Sequence, residues 1–203
     1  MAMIHPCHGC DPSSILGAGV LKMEINYFGK PYSFTHVAAL KRFGKDNDYT
    51  PNSTIKKTIE AIINNSNSIA VVPIENTFEG FIDDTVDLLC ENTNLAILEE
   101  LQLPIKLFLL SNGLIRLPEI KEIYSHAYPL KISRPWIKSH ISDDVELKAT
   151  NSTSDAVYQI RRKKYSCAIA SAEAARYYGL RKLKEIVVEK GENITMFFVL
   201  KKK

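Results

Sequence analysis

The sequence predicts an α/β fold in two lobes, with mainly parallel sheets and a ligand cleft between the lobes. Three observations carry this. Short apolar or β-branched runs alternate with helix-spaced stretches along most of the chain, the pattern of βαβ units. The alternation occurs as two similar successive series, which suits a ligand held between two lobes. A chain of 203 residues, 45% apolar and 24% charged, has enough core material for two small lobes.

The elements follow in order. Met23 to Phe28 reads as a strand and Ser33 to Phe43 as a helix. Ser53 to Asn64 is a second helix, with Ile55, Ile59, Ile62 and Ile63 at helical spacing. Ser68 to Pro73 is a β-branched run suited to a strand buried on both faces. Asp83 to Glu91 reads as a helix, and Leu95 to Leu110 as two extended segments joined near Pro104. In the second series Glu122 to Tyr124 is extended and Tyr128 to His140 is helical, interrupted at Pro135. Val145 to Ala149 is extended. Thr153 to Arg162 is a helix capped by Ser152 or Thr153, with Asp155 in its first turn. Cys167 to Ala170 is a strand, and Ala172 to Tyr178 is a helix stopped by Gly179. Ile186 to Glu189 and Met196 to Lys201 are the closing strands.

Composition excludes several classes. No apolar run approaches the roughly 18 residues of a membrane span. The 26 Lys and Arg are interleaved with 23 Asp and Glu, so the net charge of +3 gives no nucleic-acid footprint. Cys90 and Cys167 lie in apolar contexts and read as buried, reduced thiols. His5, Cys7, His8 and Cys10 place four soft ligands within six residues, but no second Cys/His pair stands at zinc-finger spacing. Residues 1–22 lack periodicity and have no basic start before an apolar core, so they read as a leader or appended segment. A cytoplasmic protein without cofactor or metal is expected.

Ligands in open α/β sheets sit beyond the carboxyl ends of strands. Four loops leave such ends and are rich in hydroxyls and amides: Gly29 to Thr35, Pro73 to Gly80, Ser125 to Pro129, and Thr150 to Ser154. A fifth, Asn193 to Phe197, precedes the last strand. Asn76 and Thr77 can donate to an oxyanion or hydroxyl, and they can equally cap a helix. No Gly-x-Ser-x-Gly motif, phosphate-binding glycine loop or metal-spaced His pair occurs. Chemistry in these loops would work by hydrogen bonding and electrostatic placement of an anion.

The run Val71-Val72-Pro73-Ile74-Glu75-Asn76-Thr77-Phe78-Glu79-Gly80 carries a resemblance. It continues, in order, through Thr85-x-Asp87-Leu88-Leu89, Leu103-Pro104-Ile105, Tyr124-Ser125-His126, Asn151-Ser152-Thr153, Ala168-Ile169-Ala170-Ser171 and Tyr178-Gly179-Leu180. From Met23 onward the chain resembles the catalytic domain of prephenate dehydratases. The resemblance implies a fold like type II periplasmic binding proteins, with prephenate in the cleft and a homodimer as the assembly. It divides the chain into a leader, residues 1–22, and a catalytic-type domain, residues 23–203, without a regulatory domain. The expected lobes are about 23–102 plus 181–203, and about 103–180. In that family a Thr-Arg-Phe triplet supplies an acid for the ring hydroxyl and a cation for an anion.

Three positions depart from the family pattern. The triplet reads Thr195-Met196-Phe197. The first loop, usually Gly-Pro-x-Gly before Ser or Thr, reads Gly29-Lys30-Pro31-Tyr32-Ser33. Ala127-Tyr128 stands where Pro-Gln is usual. Loss of the triplet's arginine resembles the stand-alone prephenate decarboxylases of natural-product pathways, which release CO2 but retain the ring hydroxyl. The sequence therefore points first to a non-aromatising prephenate decarboxylase. A prephenate dehydratase is the alternative, and a non-catalytic small-anion binder is the alternative of another class. The implied catalytic residues are Thr195, Asn76, Thr77 and His126. Substrate contacts are expected from Ser33, Lys30, Glu75, Ser125, Ser152, Thr153, Met196 and Phe197, with Lys30 replacing the missing arginine charge. Apolar walls are expected from Phe78, Phe197 and Tyr128.

Overall fold

A computed structural model describes residues 22–187 and 191–203. Residues 1–21 of the expected leader, with its His5–Cys10 cluster, and the last two residues of the expected strand Ile186–Glu189 lie outside the described residues.

The first lobe holds β1 (Glu24–Phe28), α1 (Phe34–Phe43), β2 (Asp48–Asn52), α2 (Ile55–Asn64), β3 (Ser68–Asn76), the short β4 (Gly80–Phe81), α3 (Asp83–Glu91) and β5 (Leu95–Pro104). The chain then enters the second lobe through β6 (Leu107–Ser111), followed by β7 (Glu122–His126), α4 (Ala127–His140), β8 (Glu146–Thr150), α5 (Thr153–Ile160), β9 (Ser166–Ala170), α6 (Ala172–Tyr177) and β10 (Arg181–Ile186). It returns to the first lobe as β11 (Ile194–Lys202). The expected lobe boundary at 181 therefore moves past Ile186, because β10 pairs antiparallel with β6 in the second sheet.

The sheets are mixed, which corrects the expectation of mainly parallel pairing. Their orders are β2-β1-β3-β11-β5 and β8-β7-β9-β6-β10. Each has three parallel strands made by βαβ crossovers, then a strand arriving from the other lobe, then a fifth. The arriving strands, β11 and β6, run antiparallel to both neighbours. The two lobes thus share one topology, the second built from one continuous segment and the first completed by the returning β11.

Strands buried on both faces split their side chains between two helical layers. Val71 and Val199 face α1, whereas Ala70, Val72 and Leu200 face α2. In the second lobe Leu109 and Ile169 pack with Leu130 and Ile137 of α4, while Leu110, Ala168 and Ala170 pack against α5 and α6. Phe34 and Ile105 touch a core cluster of each lobe and join the two. Cys167 is buried in β9, where desolvation pushes its thiol up to about 12. Cys90 is exposed, contrary to the expectation, because α3 turns Thr85, Leu88 and Leu89 inward instead.

Three local features escape the sequence pattern. β2 contains Pro51 and turns only Tyr49 onto the core; it is an edge strand, where proline is tolerated. β3 runs past Pro73 to Asn76, because β11 pairs with it there and a bulge between Met196 and Phe197 falls beside the proline. Helix α4 also continues through Pro135. No helix among the described residues is long and apolar enough to cross a membrane.

At the start of β7, opposite the end that carries His126, Glu122 accepts from Lys148, Ser166 and Tyr124. The Lys148 ammonium foremost, then the Ser166 hydroxyl, holds this carboxyl down at about 2, from an ordinary 4.5. A depressed carboxyl stabilises the fold above its unfolded value and ceases to do so as pH falls from about 4.5 toward 2. Glu122→Gln is expected to lower Tm by about 2–4 °C at pH 7. The gap from wild type should close near pH 2 in thermal melts.

Candidate active site

The cleft between the lobes has a volume of about 190 Å³ and is lined from all five of the expected loops. Residues at the N-terminal ends of three helices meet there. α1 presents Ser33 to Thr35, α4 presents His126, Tyr128 and Pro129, and α5 presents Ser152 and Thr153. The first-turn backbone N–H groups that capping leaves over, and the helix dipoles, favour an anion. No Lys or Arg lines the cleft among the described residues.

The hydroxyls at two of these ends are held by capping. Ser33 Oγ accepts from His36 N at 3.3 Å and donates to Phe28 O at 3.1 Å. Gly29 permits this approach: with φ of 102°, a Cβ there would lie 2.8 Å from Ser33 Oγ. Ser152 Oγ accepts from Asp155 N at 3.0 Å and lies 3.1 Å from Ser154 Oγ.

The floor of the cleft is built by β3 and β11. Asn76 is 8% exposed and joins the two strands. Its Nδ2 donates to Asn193 Oδ1 at 2.7 Å and to Thr195 Oγ1 at 2.9 Å, while its Oδ1 accepts from Phe78 N at 3.0 Å. Because Thr195 Oγ1 accepts from the amide, its own hydrogen is left to point at a ligand. Thr195 and Asn76 are cross-strand partners in register. Phe197 and Pro73 supply apolar surface beside them, and Ile105, Leu107 and Ile132 line the cleft further out. Across the cleft Tyr128 stands near Glu79; burial, with the Glu79 charge, raises the phenol above its ordinary value.

The family model described as "Prephenate dehydratase" matches residues 25–203. The chain belongs to the prephenate dehydratase family. It is 34% identical over 178 residues to the bifunctional chorismate mutase/prephenate dehydratase of Pseudomonas aeruginosa, which covers 88% of this chain and 48% of that protein. The chain spans about half the length of the curated relatives it matches. The prephenate dehydratase of Arthrobacter aurescens, solved with L-Phe, superposes with a TM-score of 0.82 at 24% identity, covering 89% of this chain and 61% of that one. The prephenate dehydratase of Staphylococcus aureus gives 0.73 at 27% identity, covering 89% and 67%.

Within this family member the structure brings Asn76, Thr195, His126, Ser33, Ser152, Thr153, Phe197 and Tyr128 to one cleft. Six other expected residues do not line it. Thr77 Oγ1 donates to Glu192 O at 2.8 Å and accepts from Ile194 N at 3.1 Å, so it braces the end of β11. Ser125 is fully buried and donates to Ile169 O at 2.7 Å, tying β7 to β9. Lys30 bonds Asp155 at 2.6 Å instead of standing free for a substrate anion. Phe78 is also absent from the lining.

Glu75 and Met196 stay off the cleft because side chains alternate along a strand. With Thr195 and Asn76 on the cleft face, their neighbours Met196 and Glu75 face the other side, paired in register. Met196 Sδ lies 4.0 Å from Gln102 Nε2. An arginine at position 196 would therefore meet Glu75, not the ligand. Glu79, Asn151 and Asn193 line the cleft although they were not singled out as site residues. All three belong to the loops or motifs already noted. Ile105 lies in the Leu103-Pro104-Ile105 motif, whereas Ile132 carried no signal, since an apolar residue on a helix is indistinguishable from core.

Proposed function

We propose that this chain acts as a prephenate dehydratase, converting prephenate to phenylpyruvate, CO2 and water. The observation that carries this reading is the Asn76–Thr195 pair. It keeps a hydroxyl aimed into the cleft, while the substituted position 196 lies outside it. The case for a non-aromatising decarboxylase rested on Met196 and on two altered loops, and Met196 is not among the residues that line the cleft. Membership of the family favours the dehydratase as well.

Prephenate carries two carboxylates, which the three helix N-termini and His126 are suited to hold. When the ring carboxylate leaves as CO2, the C–C bonding pair enters the ring and expels the hydroxyl from the opposite carbon. Thr195 Oγ–H gives its proton to that oxygen, water departs, and the ring becomes aromatic. Solvent returns a proton to Thr195. The amide of Asn76 donates to Oγ1 and stabilises the charge that develops on it. Phe197 and Pro73 keep water from the carboxylate being lost.

The test is product analysis after incubation with prephenate at neutral pH. Phenylpyruvate supports the proposal; a product retaining the ring hydroxyl identifies a decarboxylase, and no CO2 release identifies a binder. In the same assay Met196→Arg is expected to leave the product unchanged and kcat/KM within about twofold, as for a substitution away from the chemistry. Its new cross-strand partner, Glu75, should add about 0.2–1 kcal/mol of stability in denaturant titrations.

A further inference from the structure

We infer that the loop from Gly29 to Ser33 is a two-pronged clasp between the lobes, and that Lys30 and Asp155 are its positioning residues for substrate binding. One prong is ionic. Lys30 Nζ, on the first lobe, lies 2.6 Å from Asp155 Oδ1 in the first turn of α5 and 4.4 Å from the centre of the Tyr158 ring. The second prong is aromatic: Tyr32 packs on Tyr177 of α6 with ring centres 4.5 Å apart, and its carbonyl accepts from Ser171 Oγ at 3.4 Å.

The loop is rigid enough to transmit force between these points. Tyr32 has φ of 61°, an uncommon conformation for a residue with a Cβ. Its amide donates to Nδ1 of buried His36 at 2.9 Å, and burial holds that imidazole neutral, so the acceptor persists. Pro31 fixes φ between the prongs.

Both prongs act on elements of the cleft. Ser33, which lines it, follows directly after Tyr32; Ser152, which also lines it, caps the turn that holds Asp155. Breaking the ion pair therefore frees the N-terminus of α5 from that of α1, across the space where a dianion would bind. With side chains 42% and 19% exposed, the pair contributes little to global stability. It can still shift an open–closed equilibrium by about threefold to fivefold, since both lobes fold with or without it.

The test measures lobe separation directly, and so does not depend on the proposed reaction. Nitroxide labels are placed at Glu60→Cys on α2 and Arg134→Cys on α4, in the full chain with Cys7, Cys10 and Cys90 changed to Ser. Pulsed electron paramagnetic resonance then gives the interlobe distance distribution. Lys30→Met and Asp155→Asn are each expected to broaden it toward longer distances. The double variant should broaden it no further than either single one. An unchanged distribution in either single variant, or additive broadening in the double one, overturns the inference. For the wild-type reaction with prephenate, the clasp predicts that each single variant raises KM about threefold to fivefold with kcat within twofold. A fall in kcat at unchanged KM also overturns it. If the protein turns over no prephenate, the proposed function fails while the distance measurement still decides the clasp.

Discussion

Replacing Thr195 by alanine is expected to lower kcat for prephenate by about 10²–10⁴-fold, the range for loss of a positioned acid. KM should stay within a few-fold, because the helix N-termini proposed to hold the carboxylates are untouched. Thr195→Ser should recover much of the rate. The serine hydroxyl can take the same hydrogen bond from Asn76, although it gains rotational freedom without the methyl group. Thr195→Val, nearly the same shape without the hydroxyl, should behave like alanine. Steady-state kinetics on these three variants, with circular dichroism to verify folding, separate acid chemistry from packing. Valine turning over at the wild-type rate would refute a role for the hydroxyl.

Asn76→Ala is expected to cost both rate and stability. The side chain is buried and both ends of its amide are used, so truncation strands Asn193 Oδ1 and the Phe78 amide. Leaving buried polar groups unmet costs about 1–3 kcal/mol, which for a chain of this size lowers Tm by about 2–12 °C. The rate should fall more than the stability. Thr195 loses the donor that directs its hydrogen, and the loop carrying Glu79 loses its anchor. Asn76→Asp makes the point more sharply. It retains the acceptor for Phe78 but sets an anion beside Thr195 and Asn193, in a cleft proposed to take an anionic substrate. Its KM should rise more than that of the alanine variant. Equal KM values in the two would show that the substrate carboxylates bind elsewhere.

Much of this site was legible in the sequence. Strand ends and hydroxyl-rich loops marked five segments, and all five reach the cleft. Two of the errors, Glu75 and Met196, share a physical cause. A motif read along the chain does not say which face of a strand a residue occupies. Glu75 sits beside Asn76, and Met196 beside Thr195, yet each pair is split by the two-residue period. The arginine missing from the triplet thus looked like a lost ligand contact when it is a change on the opposite face. Lys30 was misread for another reason. Its partner Asp155 is 125 residues away, and no local pattern announces a cross-lobe ion pair. The mixed sheets were hidden likewise: an apolar run fits either direction of pairing, and only the return of β11 from the second lobe sets it antiparallel.

That returning strand bears on how the protein is made. The second lobe is one continuous stretch, β6 to β10, and can collapse while synthesis is still in progress. The first lobe cannot finish then, because β11 must insert between β3 and β5, which have been waiting since early in translation. Until it does, an apolar gap separates two exposed strand edges, the kind of surface that invites aggregation and chaperones. Thr195 travels on that strand. A ribosome that stalls before residue 195 would release a chain with one complete lobe and without the proposed acid.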